Sequence, residues 1–496
     1  MIYIKDFIIR LGVSMKRFIF LVMMCMSVVL QGKTKEEMTR FYEEFLCNEK
    51  KELHFAGLGP SCTFIPFDPN NPVPPPNPGP PHFIPGLLPI VMVNNSGLPD
   101  DEVYVVVTGK DETTTIQSFV QFNGSGVGTL VEANPGENAT QFTKVLSDFP
   151  ETSAGRVFYL PKINSGAIWF SMGQGLNMPV NSPHNIVQPN FLSSADSNYN
   201  TNFDIFEVTY ISTGINIAAD ATAVSFFSIP LYGYISTPSP GSSQNTGLFH
   251  PRSFVMSHAA SLFSTAPEST QWNNLFLRNG ATILRLLSPG KAISASFFDI
   301  NYLDNSAAYG YSYINDIWSD ASSFYRTHPL KLTIPNGSLD TYTGVINPGN
   351  TITFTGAPSG YIVVLAAPTT TIPTTSFDIF SGVYPIVSDN SPGAADGIQI
   401  TKLLYEAMIA GLVPTANTLS NPYLAANQSI FYTVNPNLSA AGQSRGPWFD
   451  LYSKSLHSLG FIYTYATDEP LWPQVQIFSN TLEPTTYIGI TIGNVQ

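Results

Sequence analysis

The stretch Phe203-Asp-Ile-Phe-Glu-Val-Thr-Tyr210, with Asp220-Ala-Thr-Ala-Val-Ser-Phe-Phe-Ser-Ile-Pro-Leu231 after it, decides how this chain is read. Phe, Ile, Val, Thr and Tyr favour a pleated, half-buried strand, and they surround Glu207 with apolar neighbours that make its ionisation costly. A second strand starts within roughly 15 residues, which is hairpin-loop range, so the residues near Ser225 are expected beside Glu207 on one sheet.

The chain has 496 residues, more than one ordinary core accommodates, so two folded domains with extra terminal segments are expected. Charged residues make up only 11% of it and the formal net charge is -13, which leaves no basic surface to neutralise phosphates and argues against nucleic acid as a partner. Few Lys and Arg among abundant Asn, Thr, Ser, Gly and aromatics is the composition of secreted all-β and sugar-handling proteins, two classes that composition alone does not separate.

Lys16-Arg17 precede the apolar run Phe18 to Leu30, which has the length of a signal peptide and is short for a bilayer span. Residues 1–32 are therefore expected to direct export, to the medium or the cell envelope, with no transmembrane span after their removal. Lipidation at Cys25 is disfavoured by the bulky Met23-Met24 before it. Cys47 and Cys62 remain, either as a disulfide in an oxidising compartment or as two separate thiols. Residues 33–64 include Met38, Phe41, Tyr42, Phe45 and Leu46 at helical spacing, a short amphipathic helix. Residues 65–87 contain Pro72-Val-Pro-Pro-Pro-Asn-Pro-Gly-Pro-Pro81, an extended linker that joins neither helix nor sheet.

From Leu88 to about residue 245, short runs such as Val103-Tyr-Val-Val-Val-Thr108 and Ala167-Ile-Trp-Phe170 alternate with Asn, Gly, Pro and Ser clusters, the text of an antiparallel barrel or sandwich. Residues 246–469 read as mixed α/β. Helical spacing is expected over Gln271 to Leu286, Tyr311 to Tyr325, Gly397 to Leu412 and Phe449 to Leu459, with Gly411 and Gly460 as C-terminal caps and strands at Leu330 to Ile334, Thr351 to Phe354 and Tyr361 to Leu365. The alternating Thr485 to Ile492 run, within 470–496, is expected to return to the first domain.

Several pieces in a shared order carry a resemblance. They are Leu88-Pro-Ile-Val-Met-Val-Asn-Asn-Ser-Gly97, Gly155-Arg-Val-Phe-Tyr159, Val187-Gln-Pro189, the Phe203 to Tyr210 strand, Phe297-Phe-Asp-Ile-Asn-Tyr-Leu-Asp304, Leu451-Tyr-Ser-Lys-Ser-Leu-His457 and Tyr463-Thr-Tyr-Ala-Thr-Asp-Glu469. In this order the chain resembles glycoside hydrolase family 64, β-1,3-glucanases in which a thaumatin-like β barrel and a mixed α/β domain flank a groove. The resemblance implies inverting hydrolysis of a β-1,3-glucan polysaccharide without a cofactor, with Glu207 as general acid. It places the general base at the end of an Asn-x-Ser/Thr-x-Val-Asp motif, which here reads Asp220-Ala-Thr-Ala-Val-Ser225.

That substitution matters chemically, because a serine hydroxyl lacking its own base neither accepts a proton nor stabilises developing positive charge. Asp220 is a substitute base only if a bulge or turn intervenes, since an odd offset from Ser225 along one strand sends it to the opposite face. Asp204 meets the same difficulty relative to Glu207. Asp299, Asp304, His457, Asp468 and Glu469 are further groups that could reach a groove from the other domain. Loss or weakening of hydrolysis is expected, and a non-catalytic glycan-binding or surface protein on the same fold is the alternative. The five tryptophans suit sugar stacking but are mostly expected in cores. Gly124-Ser-Gly-Val-Gly128 lacks the lysine of a phosphate loop and reads as a turn, and no metal-ligand spacing is present.

Overall fold

The structure is a computed structural model that describes residues 81–212, 216–237, 244–266, 268–304, 308, 313–318, 324–327, 329–334, 340–368, 375–412, 418–420, 432, 449–466, 468, 475–479 and 486–496. All of them belong to one compact unit, Phe67–Gln496. The expected signal peptide, the amphipathic helix, Cys25, Cys47, Cys62 and most of the proline-rich linker lie outside the described residues.

The fold is mainly β. An eight-stranded sheet runs from Ile477–Ser479 through Ile217–Thr222, Phe203–Tyr210, Ile163–Met172, Val103–Lys110 and Gln117–Phe122 to Gly128–Glu132, with Lys144–Val145 added beside Val103–Lys110. A six-stranded sheet has the order Gln244–Gly247, Leu231–Ser236, Tyr487–Ile492, Leu88–Asn94, Gly155–Leu160 and Glu151–Thr152. Ile90 and Met92 of this sheet share one hydrophobic cluster with Val105, Val107, Ile168 and Phe206 of the eight-stranded sheet. The β-branched Val103–Lys110 run is buried on both faces over most of its length, which explains its nearly unbroken apolar text. The C-terminal strand Tyr487–Ile492 lies between Leu88–Asn94, its parallel partner, and Leu231–Ser236, its antiparallel one.

A second six-stranded sheet, ordered Ile386–Asp389, Ile362–Ala366, Thr351–Ala357, Thr341–Asn347, Leu330–Thr333 and Thr418–Ser420, accompanies the helices Arg252–Ser264, Asp396–Ile409 and Leu451–His457. Gly411, at φ +75°, ends the Asp396–Ile409 helix as the sequence predicts, its amide donating to the Met408 carbonyl. One helix expectation fails. Gln271 to Leu286 yields only a short helix, Ser269–Asn273, followed by a hairpin of Phe276–Asn279 and Thr282–Leu287. Gly280-Ala281 is the two-residue loop of that hairpin, with Asn279 paired to Thr282 and Gly280 at φ +60°, a local signal stronger than the helical spacing around it. The Gly124-Ser-Gly-Val-Gly128 segment is a turn between strands, with Asn123 accepting from the amides of Ser125 and Val127.

Trp169, Trp272 and Trp318 are core residues. Among the described residues, no helix is long and apolar enough to cross a membrane.

Candidate active site

Cross-strand register places Glu207. Phe203–Tyr210 is central in its sheet, with Glu207 opposite Ala167 on one neighbour and opposite Asp220 on the other. Phe206, Val208 and Tyr210 turn into the core while Glu207 turns outward. It opens into a pocket of about 310 Å3 lined also by Asp204, Thr222, Ser225, Tyr463 and Gln476. Solvent reaches Glu207 through this pocket, yet the protein packed around it disfavours the ionised form and raises its pKa above the ordinary carboxyl value.

Two expectations about the neighbouring strand change. Ser225 is not on that strand, which stops at Thr222; the chain bends through Ala223 to Ser225 before pairing again at Phe226–Phe227. Side-chain alternation therefore does not run from Asp220 to Ser225. Asp220, directly opposite Glu207 in an antiparallel pair, shares its sheet face, and the two Cβ atoms of such a pair are about 5 Å apart. Asp220 is 5% exposed and is not among the pocket-lining residues, whereas Ser225 is.

Asp204 does lie on the other face. Its Oδ2 accepts from the amides of Ser228 (2.8 Å) and Ile229 (2.9 Å), and Oδ1 from its neighbour Ile205 (3.0 Å). It thereby ties the segment after Ser225 to the Glu207 strand. Burial pushes its pKa up to about 7, against the opposing pull of these amides and of Arg285. Its folded-state proton is one the unfolded chain has released above about pH 4, so this group's contribution to stability falls between about pH 4 and 7, by roughly 4 kcal/mol at most. Asp204→Asn should remove that component. Denaturant titrations near pH 4.5 and pH 7.5 (about the limits of the window) check it: wild type should lose stability relative to the variant at the higher pH, and parallel behaviour would contradict the assignment.

Arg285 supports the same region. Fully buried, it donates to the carbonyls of Phe191 (3.0 Å), Tyr199 (3.1 Å) and Thr201 (2.9 Å), and its guanidinium lies 5.1 to 5.8 Å from the ring centroids of Phe191, Phe203 and Phe226. Nothing in the local sequence marks it. Tyr463 and Gln476 were likewise not singled out as site residues, because their approach to Glu207 is long-range.

The remaining expected site residues divide. His457 and Asp468 are buried behind the pocket wall rather than lining it, with His457 Nε2 3.0 Å from Asp468 Oδ2. Asp299 accepts from the Asn301 amide in its own turn and does not line the pocket. Asp304 does not line it either. Glu469 lies outside the described residues. Among the described residues no group of three His, Cys, Asp or Glu side chains is placed to hold a metal ion.

Comparison with known proteins bears on the family and the fold. The family model for β-1,3-glucanase of glycoside hydrolase family 64 matches residues 86–458. Glucan endo-1,3-β-glucosidases from Arthrobacter sp. (strain YCWD3) and Cellulosimicrobium cellulans are 28% and 27% identical over 175 residues, 35% of this chain; the matched stretch spans 28% of the length of each. Among solved structures, the β-1,3-glucanase domain from Clostridium beijerinckii superposes with a TM-score of 0.63 at 19% identity, covering 83% of this chain and 100% of that one. A laminaripentaose-producing β-1,3-glucanase in complex with laminaritetraose gives a TM-score of 0.60 at 19% identity with the same coverage. These two share the fold. With the family model extending over most of the chain, from the first strand of the folded body to the helix that carries His457, this protein belongs to the β-1,3-glucanases of glycoside hydrolase family 64.

Proposed function

We propose that this protein is exported and engages β-1,3-glucan at the Glu207 pocket, with Glu207 as general acid and with inverting hydrolysis weakened because Ser225 occupies the base position. The carrying observation is that Glu207 and Ser225 line one pocket, while Asp204, a residue that also borders it, has its carboxylate engaged by backbone amides on the other face of the sheet. A solvent-accessible carboxyl whose pKa is raised by its surroundings has the properties of an acid that protonates a leaving-group oxygen.

Asp220 is the poorer base. An inverting enzyme keeps its carboxyls about 6.5–9.5 Å apart to admit a water, and a directly opposed cross-strand pair approaches more closely. Burial further limits the water that Asp220 could activate. Its position suits a different task, since a carboxylate facing Glu207 favours the protonated acid.

The alternative, a glycan-binding protein without hydrolytic activity, is favoured by Ser225 itself. Incubation of the full chain with laminarin and curdlan, following reducing-end release and polysaccharide pull-down, separates the two. Slow release that Glu207→Gln lowers by a further 100-fold or so supports the weakened enzyme. Retention without release supports the binder, and neither would overturn glucan as the ligand.

A further inference from the structure

We infer that the buried cluster His457–Asp468–Thr464 is a positioning device that holds Tyr463 as the aromatic platform for a sugar ring in the Glu207 pocket; this rests on the glucan reading above.

The segment 461–466 contributes Tyr463 and Ala466 to the wall of the Glu207 pocket, and among the described residues it has no regular strand or helix of its own. It is held at two places. In front, the Tyr463 amide donates to the Ala221 carbonyl (3.0 Å) and the Ala223 amide donates to the Tyr463 carbonyl (2.6 Å), which continues the sheet past the end of Ile217–Thr222. Behind, His457 Nε2 lies 3.0 Å from Asp468 Oδ2 and 3.1 Å from the Ile462 carbonyl, so one ring nitrogen bridges the two residues. Asp468 Oδ2 also accepts from the Thr464 amide (2.7 Å) and hydroxyl (2.8 Å).

The ring is itself fixed. Tyr432 Oη is 2.7 Å from His457 Nδ1, so a Tyr432 hydroxyl that donates to Nδ1 leaves the proton on Nε2, directed at the Asp468 and Ile462 acceptors. Thr464 Oγ1 reaches Ser453 Oγ at 2.9 Å, and Ser453 donates to Asp450, the N-cap of the same helix that carries His457. Tyr452 of that helix donates to the Ala223 carbonyl, so one helix holds both Ala223, just past the strand end, and the Ile462, Thr464 and Asp468 groups behind the wall. His457, Thr464 and Asp468 are 8%, 0% and 0% exposed and cannot touch a polysaccharide, while Tyr463 is half-buried and faces the cavity. An aromatic ring beside the acid offers the apolar face that a pyranose stacks on.

The test uses the full chain and four variants, with laminaritetraose binding by calorimetry and amide hydrogen exchange over residues 461–466. Tyr463→Ala should weaken binding about tenfold or more, and Tyr463→Phe should keep it. Asp468→Ala should weaken binding by about as much and speed exchange at Tyr463 and Thr464, because an acceptor for one buried amide and its neighbouring donors is lost. Asp468→Asn, which keeps a carbonyl oxygen in that place, should restore both readouts. Should Asp468→Ala not fold, Thr464→Val, close in shape, should show the same pattern more mildly. Unchanged exchange at 461–466 in folded Asp468→Ala or Thr464→Val overturns the positioning role, whatever binds. Unchanged affinity in Tyr463→Ala overturns the platform. Absence of laminaritetraose binding by wild type would refute the platform and the glucan reading together, while exchange would still decide the role of the cluster.

Discussion

Ser225→Asp is expected to raise laminarin hydrolysis by about 100-fold or more, the usual contribution of a positioned general base. The substitution supplies a carboxylate to a pocket that already holds Glu207, on a bend where the chain has left the strand and the side chain lines the cavity. Reducing-end assays at matched protein concentration check it, and Glu207→Gln in the Ser225→Asp background should return the rate to that of wild type. If the gain survives Glu207→Gln, Glu207 is not the acid. Binding without any gain would mean that the pocket has lost more than its base. Because burial raises the Glu207 pKa, the engineered activity should persist to higher pH than an ordinary exposed carboxyl would allow, and then decline as Glu207 ionises.

Gly247→Ala should destabilise the fold by about 3 kcal/mol or more, among the larger effects of any single substitution. Gly247 sits at φ +96°, and an added Cβ would stand 2.0 Å from the Leu231 carbonyl oxygen and 3.0 Å from Ala221 Cβ. Neither the carbonyl nor the packed methyl has room to yield. The position is also a junction, since the Gly247 amide donates to the Phe461 carbonyl (2.7 Å) while Leu248 donates to Leu231. Strain here would pass to the 461–466 wall and to the strand end at Ala221, so glucan binding should weaken along with stability. Thermal melting checks the main effect. A loss of roughly 4 °C or more is expected from the entropy of unfolding typical of a unit this large. Gly124→Ala is the control: no neighbouring atom lies within 4 Å of its added Cβ and its φ is unexceptional, so it should remain within about 0.5 kcal/mol of wild type. Equal melting temperatures for wild type and Gly247→Ala would show that the Gly247–Leu231 approach is not as close as described.

Where local chemistry was decisive, the sequence was legible. Val103–Lys110 and Phe203–Tyr210 read as strands because their β-branched and aromatic content leaves little competition, and Gly411 read as a cap because a left-handed residue must end the helix. The Gly280-Ala281 turn was equally legible from its glycine, and the helix expected across it was an error of weighting: a two-residue turn signal outranks loose helical spacing. Glu207 could be named as a candidate acid only through the ordered pieces of the family that accompany it, since a glutamate inside an apolar strand is by itself more often structural.

What the sequence by itself determined, then, was the mainly β architecture and the family, with Glu207 on a strand among apolar neighbours. Only the tertiary structure decided which groups keep Glu207 company. Register between two strands depends on where the connecting loop lets pairing begin, and it put Asp220 opposite Glu207 and left Ser225 beyond the strand end. Tyr463 reaches the pocket across more than two hundred residues of chain, and His457 and Asp468 turned away from it because their hydrogen bonds are satisfied only in the buried space behind the wall. Local propensity acts over a few residues, whereas the contents of a pocket are set by packing among segments that no sequence window contains together.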